Sequence, residues 1–273
     1  MRHHASQSGF TLIEMVMVIV IMGVVGVMVS VFMKAPIDAY FDSARRAALT
    51  DVADTAVRRM ARDIRKALPN SVRNPNNQCI EFIPTKTGGR YRAEELLAGD
   101  DSSLNFSAAD ATFNMLGSNS SFASQALPSD QRIVQDDVVA VYNLGISGAD
   151  AYSQDNTSRV SGAPVDGVET QIPIDSKLFP LASGSHRFHV IPKDEKVVAF
   201  VCSGNKLYRT ASTTFASACP ITGAILATNV GSCNFVYSGS DLQRNALVQL
   251  GFTLTDSGES VNLYHEVHVN NTP

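Results

Sequence analysis

Of 273 residues, 44% are hydrophobic and none is Trp, and a formal charge of −4 with a pI near 5.8 leaves no global positive field to attract a nucleic-acid backbone. The residue mixture is that of a folded chain, long enough for one large domain or two small ones. Four cysteines, Cys79, Cys202, Cys219 and Cys233, contain no C-x-x-C pair, which argues against zinc and for disulfides in an extracytoplasmic compartment.

The first element is the run "GFTLIEMVMVIVIMGVVGVMVSVFM", residues 9–33, which carries one carboxylate, Glu14, and no charge from Met15 to Met33. That length spans a hydrocarbon core as a helix. No small-residue cleavage site of an ordinary secretory signal follows it between Ser30 and Ala35. Arg2 and the amino terminus precede the run, so the positive-inside bias keeps the N-terminus cytoplasmic and sends the remainder outside. An ionised carboxylate at a helix centre in lipid costs about 2.5–3.5 kcal/mol even on insertion scales, so Glu14 needs a compensating partner.

Pro36 lacks an amide donor and predicts a kink or interruption. Beyond it, Phe41, Ala44, Ala48, Val52, Ala56, Met60, Ile64 and Leu68 recur at three- and four-residue steps, while Asp42 with Arg46 and Asp54 with Arg58 stand at i,i+4. Pro69 and Asn70 supply a stop. The pattern predicts one long helix over residues 10–68, with a transmembrane part (10–33) and an amphipathic continuation (34–68) that needs a globular partner.

From residue 69 onward the period changes. The segments 79–84, 137–145, 186–192, 196–202, 206–211, 233–239, 246–255 and 260–269 are short, rich in β-branched and aromatic residues, and bounded by Gly, Asn, Asp or Ser, which predicts strands. "SGN" (203–205) and "DSGE" (256–259) predict tight hairpins and make the C-terminal half an antiparallel meander. Residues 85–130 and 146–175 show little periodicity and read as long surface loops. The fold class is therefore α+β: a long helix packed by its second half on an antiparallel sheet, with a β-rich globular domain over 69–273. Four cysteines allow three pairings. The expected one joins Cys202 to Cys219, closing a local loop after a hairpin, and leaves Cys79 with Cys233 to tie the first strand to the meander.

Histidines in "HRFH" (His186, His189) and "HEVH" (His265, His268) stand three apart, so on a strand each pair points to opposite faces and cannot close on one metal ion. "HEVH" also lacks a spacer residue of H-E-x-x-H, and no G-x-S-x-G, P-loop or dinucleotide pattern occurs. No catalytic residue, metal site or cofactor is expected. Arg58, Arg59, Arg62, Arg65 and Lys66 form a basic cluster that reads as a solvated helix face balanced by Asp54 and Asp63. The loop "GADAYSQDNTS" carries oxygen ligands without the spacing of an EF-hand.

Gly9 followed by Phe10, Thr11, Leu12, Ile13, Glu14 and a charge-free helix resembles the class III signal of type IV prepilins and type II secretion pseudopilins. The resemblance implies a leader over residues 1–9, cleavage after Gly9 by the prepilin peptidase, and N-methylation of Phe10 by the same enzyme. It also implies that Glu14 meets the terminal amine of a neighbouring subunit during assembly, an opposite charge that would keep it ionised. Gly23 matches a glycine common in the family; Val31 stands where many pilins have a proline. A second resemblance is spread through "AVRRMARDIRKALPNSVR" (56–73), "VYNLG" with "GADAY" (141–152), "VVAFVCSGNKLYR" (197–209) and "LYHEVHVNNTP". It is to the O-type minor pilins of mannose-sensitive haemagglutinin (MSHA) pili, themselves similar to J-type pseudopilins. Together the two resemblances imply a non-enzymatic, single-pass inner-membrane subunit with a periplasmic globular domain. Its partners would be the peptidase, other minor pilins, the major pilin, the assembly platform and the bilayer, with no nucleic acid. A J-type pseudopilin is the near alternative, and a membrane-anchored periplasmic hydrolase or binding protein the distant one.

Overall fold

The computed structural model describes residues 9–216, 219, 223–239 and 245–273. Helix α1 runs from Leu12 to Ile64, 53 residues. It passes through Pro36 without interruption, as the reading of one long helix requires. One lost rung costs about 3 kcal/mol, and the cooperative bonding on both sides outweighs it. The helix ends at Ile64 and not at Leu68. Lys66 and Ala67 donate to Asp63 and Ile64 in tight turns (both 3.0 Å), and the Leu68 amide is then taken by the Ile83 carbonyl at 2.7 Å. A bond formed only by the folded chain thus ends the helix before the Pro69 stop is reached.

Strands β1 (Arg73–Asn76), β2 (Cys79–Phe82) and β3 (Thr87–Arg90) follow the helix directly. Next come β4 (Asp110–Met115), β5 (Ser121–Phe122), β6 (Gln125–Ala126), β7 (Val138–Val141), β8 (Thr157–Arg159) and β9 (Thr170–Lys177). β10 (Arg187–Ile191), β11 (Val197–Ser203), β12 (Lys206–Ser212) and β13 (Ala224–Thr228) precede the long strands β14 (Val230–Ser238), β15 (Asn245–Asp256) and β16 (Glu259–Asn270). All eight segments expected to be strands contain one. The main sheets have the orders β1-β2-β11-β12-β13, β3-β10-β7-β8 and β14-β15-β16, with β4-β9 and β5-β6 as pairs. The C-terminal half is therefore divided: β11–β12–β13 completes a sheet begun by β1 and β2, and only β14–β15–β16 stands as a separate meander.

Both expected hairpins are two-residue turns. Gly204 and Asn205 (φ 54° and 60°) join β11 to β12, and Ser257 and Gly258 (φ 50° and 89°) join β15 to β16. Positive φ at both central positions matches the right-handed twist of the flanking strands.

Two cores result. In the first, Ala53, Met60 and Ile64 of α1 are fully sealed against Phe82, Phe200, Phe235, Leu250 and Val267. Arg209 of β12 fastens the same contact at its rim, bonding Asp63 of α1 at 2.8 Å and Glu195 at 2.7 and 2.8 Å; this pairing lowers the pKa of the Glu195 carboxyl. The second core, around Tyr91, Phe113, Ile133, Ile172, Phe179 and Phe188, draws about half of its residues, Tyr91, Phe113 and Ile172 among them, from the stretches expected to be loops. Their order escapes local reading because pairing is long-range: Phe113 of β4 lies opposite Ile172 of β9.

The contact face of α1 also differs from its expected position. Burial begins at Leu49 and includes Ala56, Met60 and Ile64, whereas Phe41, Ala44, Ala48 and Val52 stay exposed. Asp54 pairs with Arg58 as expected (2.6 Å), but Asp42 pairs with Arg45 (2.7 Å) because Arg46 is taken by Glu259 at the start of β16.

Candidate assembly motif at the start of the helix

Gly9 and Phe10 precede the helix in non-helical conformation, and Thr11 is its N-cap, in extended conformation. The Thr11 hydroxyl accepts from the Glu14 amide at 3.4 Å, and the Glu14 carboxylate accepts from the Thr11 amide at 3.5 Å. T-L-I-E is thus a capping box, with a carboxylate in the first turn where the helix dipole favours negative charge. The S/T-x-x-E spacing is legible in the sequence, and it gives Glu14 a local role that a reading of it as an assembly charge alone misses. Two orphan amide donors are satisfied, and part of the cost of the charge is offset without any neighbour.

This end of the molecule is bare. Phe10 is 83% exposed and Leu12 84%, no atom would meet a Cβ at Gly9, and no residue from Gly9 to Ala48 is buried. The first half of α1 is long and apolar enough to cross a membrane, with none of that window buried against the rest of the chain. Ser30 returns its hydroxyl to the Gly26 carbonyl at 2.9 Å, so its polar group is satisfied within the helix. The leader residues 1–8 lie outside the described residues.

The disulfides are Cys79–Cys219 and Cys202–Cys233, with Cα separations of 6.2 and 6.4 Å. The expected pairs Cys202–Cys219 and Cys79–Cys233 are therefore wrong, and strand alternation explains why. Cys79 lies opposite Val201 on the neighbouring strand, so Cys202 points to the other face of that sheet. Cys79 and Cys219 share one side with Ala199 and Val201, while Cys202 and Cys233 meet on the helix side, in the first core.

On β16 the two histidines stand on opposite faces, whereas His186 precedes β10 in left-handed conformation (φ 55°), so strand alternation does not place it. His268 is exposed while His265 turns toward α1. His186 is exposed, whereas the His189 Nε2 is buried without a hydrogen-bond partner among the described residues. Burial, and then the charge of Arg187, bring its pKa down to about 4. In the oxygen-rich loop the carboxylates serve the fold: Asp155 accepts from the Gly148 amide at 2.9 Å, and Asp150 pairs with Arg73 at 2.8 Å. The Arg73 guanidinium also lies 3.4 Å above the Tyr152 ring, a cation–π contact. Among the described residues no three His, Cys, Asp or Glu side chains are placed to hold a metal ion.

Residues 4–30 match the family model described as the prokaryotic N-terminal methylation motif. The match covers the capping box and most of the exposed apolar run, so a type IV prepilin-like motif lies on the part of the chain that the globular domain leaves bare. Comparisons with curated proteins and with solved structures returned no match.

Proposed function

We propose that this chain is a structural subunit of a type IV pilus or pilus-like machine. It is processed after Gly9 by the prepilin peptidase, N-methylated at Phe10, and held in the inner membrane by the first half of α1 with its β-rich domain in the periplasm. One observation carries the reading: the methylation motif at residues 4–30 coincides with a helix start that is exposed on every side. Processing would turn the Phe10 nitrogen into a free amine at the same exposed end of the molecule as Glu14. In the lipid-embedded subunit the Glu14 carboxylate would then serve both its capping box and the terminal amine of an adjacent subunit, an opposite charge that lowers the burial penalty.

The finer reading is a minor pilin of an MSHA-like pilus, acting with other minor pilins and the major pilin on the assembly platform to start or tip the fibre. It rests on the sequence fragments near the end of α1, in β11–β12 and at the C-terminus. The near alternative, a J-type pseudopilin of a type II secretion system, would use the same N-terminal signature. Adjacent reading frames for pilus or secretion components separate the two.

The test is the mature N-terminus. Intact-mass measurement on membrane-extracted protein should show loss of residues 1–9 and a methylated Phe10; retention of the leader with the peptidase present overturns the proposal. Glu14→Val should leave membrane insertion and cleavage intact and abolish assembly. Full assembly by that variant would return Glu14 to a capping role alone.

A further inference from the structure

β16 ends its sheet: its twelve residues pair in unbroken register with β15, and among the described residues no strand lies on its other side. It carries no Pro, Lys or bulge, three of the devices that blunt a free edge. Helix α1 runs beside it. Arg46 pairs with Glu259 at the start of β16, and His265 shares a groove with α1 residues from Asp54 to Lys66. From Arg46 to Arg58 the helix advances about 18 Å, and from Glu259 to His265 the strand advances about 20 Å. The two elements therefore travel side by side in the same direction.

Between them lies a groove of about 630 Å³ lined by Val57 and Ala61 and, from the same helix, by Arg58, Arg62, Arg65 and Lys66. Its charge is unbalanced. Asp54 is held by Arg58 (2.6 Å), and Asp63, which the sequence would assign to the same balance, is held by Arg209 (2.8 Å). Arg59 lies outside the groove, close enough to Glu195 to help lower its pKa. Among the described residues Arg62, Arg65 and Lys66 form no ion pair. A helix C-terminus favours a cation or two; it does not call for an open basic groove beside an unpaired strand.

We propose that this groove receives an extended acidic segment of a partner protein, added as a strand to the free edge of β16. Main-chain bonds to β16 would supply affinity. Alternate side chains on such a strand stand about 6.8 Å apart, and the unpaired Arg62 and Lys66 are separated by about 6 Å along the helix, so successive carboxylates on one face meet successive cations. Charge-assisted bonds to arginine then set the preference for acid. The inference concerns the globular domain and does not depend on processing at Gly9.

The probe is a short peptide of alternating Glu and Val, added to the full-length chain in detergent micelles, with a Lys–Val peptide and oligothymidylate as comparators. The Glu–Val peptide should bind, slow amide hydrogen exchange over Glu259–Asn270, and weaken by about tenfold or more in Arg62→Gln/Arg65→Gln. Circular dichroism checks that this variant stays folded. Binding without protection of β16, equal binding of Lys–Val, tighter binding of oligothymidylate, or no binding overturns the proposal. A chain that is processed after Gly9 yet ignores the peptide sinks this inference alone.

Discussion

The two halves of α1 share one backbone and obey opposite packing rules. From Gly9 to Ala48 nothing is buried, while from Leu49 to Ile64 a stripe of seven residues is sealed against the sheets. A helix that is apolar on every side has no preferred face and takes lipid as its solvent; a helix with one apolar stripe orients that stripe toward a core. The 53-residue helix therefore couples two separately stabilised regions, and damage to the globular domain should stop short of the apolar half.

The largest effect should come from the long-range disulfide. Replacing Cys79 and Cys219 by Ala opens a bridge with a sequence separation of 140, for which chain entropy gives about 5 kcal/mol. Denaturant unfolding should shift accordingly in the globular domain, while the helicity of residues 12–33 in detergent is unchanged. Loss of both together would mean that the halves are one cooperative unit.

Two methionines on the same helix isolate the division at Leu49. Met60 is fully buried and Met22 is 72% exposed. Met60→Ala should cost about 3 kcal/mol through lost contacts and a cavity, and Met22→Ala should leave unfolding of the globular domain unchanged. Equal effects on thermal unfolding would contradict that division.

Acid should also act on one region only. His189 has its pKa lowered from 6.5 to about 4 in the folded chain, so the unfolded state binds the proton first. Its contribution is fully present above pH 6.5 and is lost as pH falls toward about 4, amounting to up to about 3 kcal/mol. His189→Gln should flatten stability against pH in that window. An unchanged slope would remove His189 as its source.

The smallest effect concerns the turn that launches β16. Gly258 has φ 89°, and no atom lies within 4 Å of a Cβ built there, so Gly258→Ala tests backbone strain alone. About 1 kcal/mol of destabilisation is expected, read as faster hydrogen exchange in β15 and β16. No change would show that the turn relaxes freely.

The features legible in the sequence are those set by neighbours a few residues apart. The helix, its apolar first half, T-L-I-E at its start, eight strands and two positive-φ turns all follow from period, capping and turn preference. Tertiary structure decided the rest. Asp42 lost Arg46 to Glu259, and the helix stopped at Ile64 because Ile83 took the Leu68 amide. The cysteines paired by which side of one sheet they faced, and the second core joined strands as distant as those of Phe113 and Ile172. Each of these outcomes is a competition between a local partner and one brought close only by folding, and spacing along the chain carries no information about the second competitor.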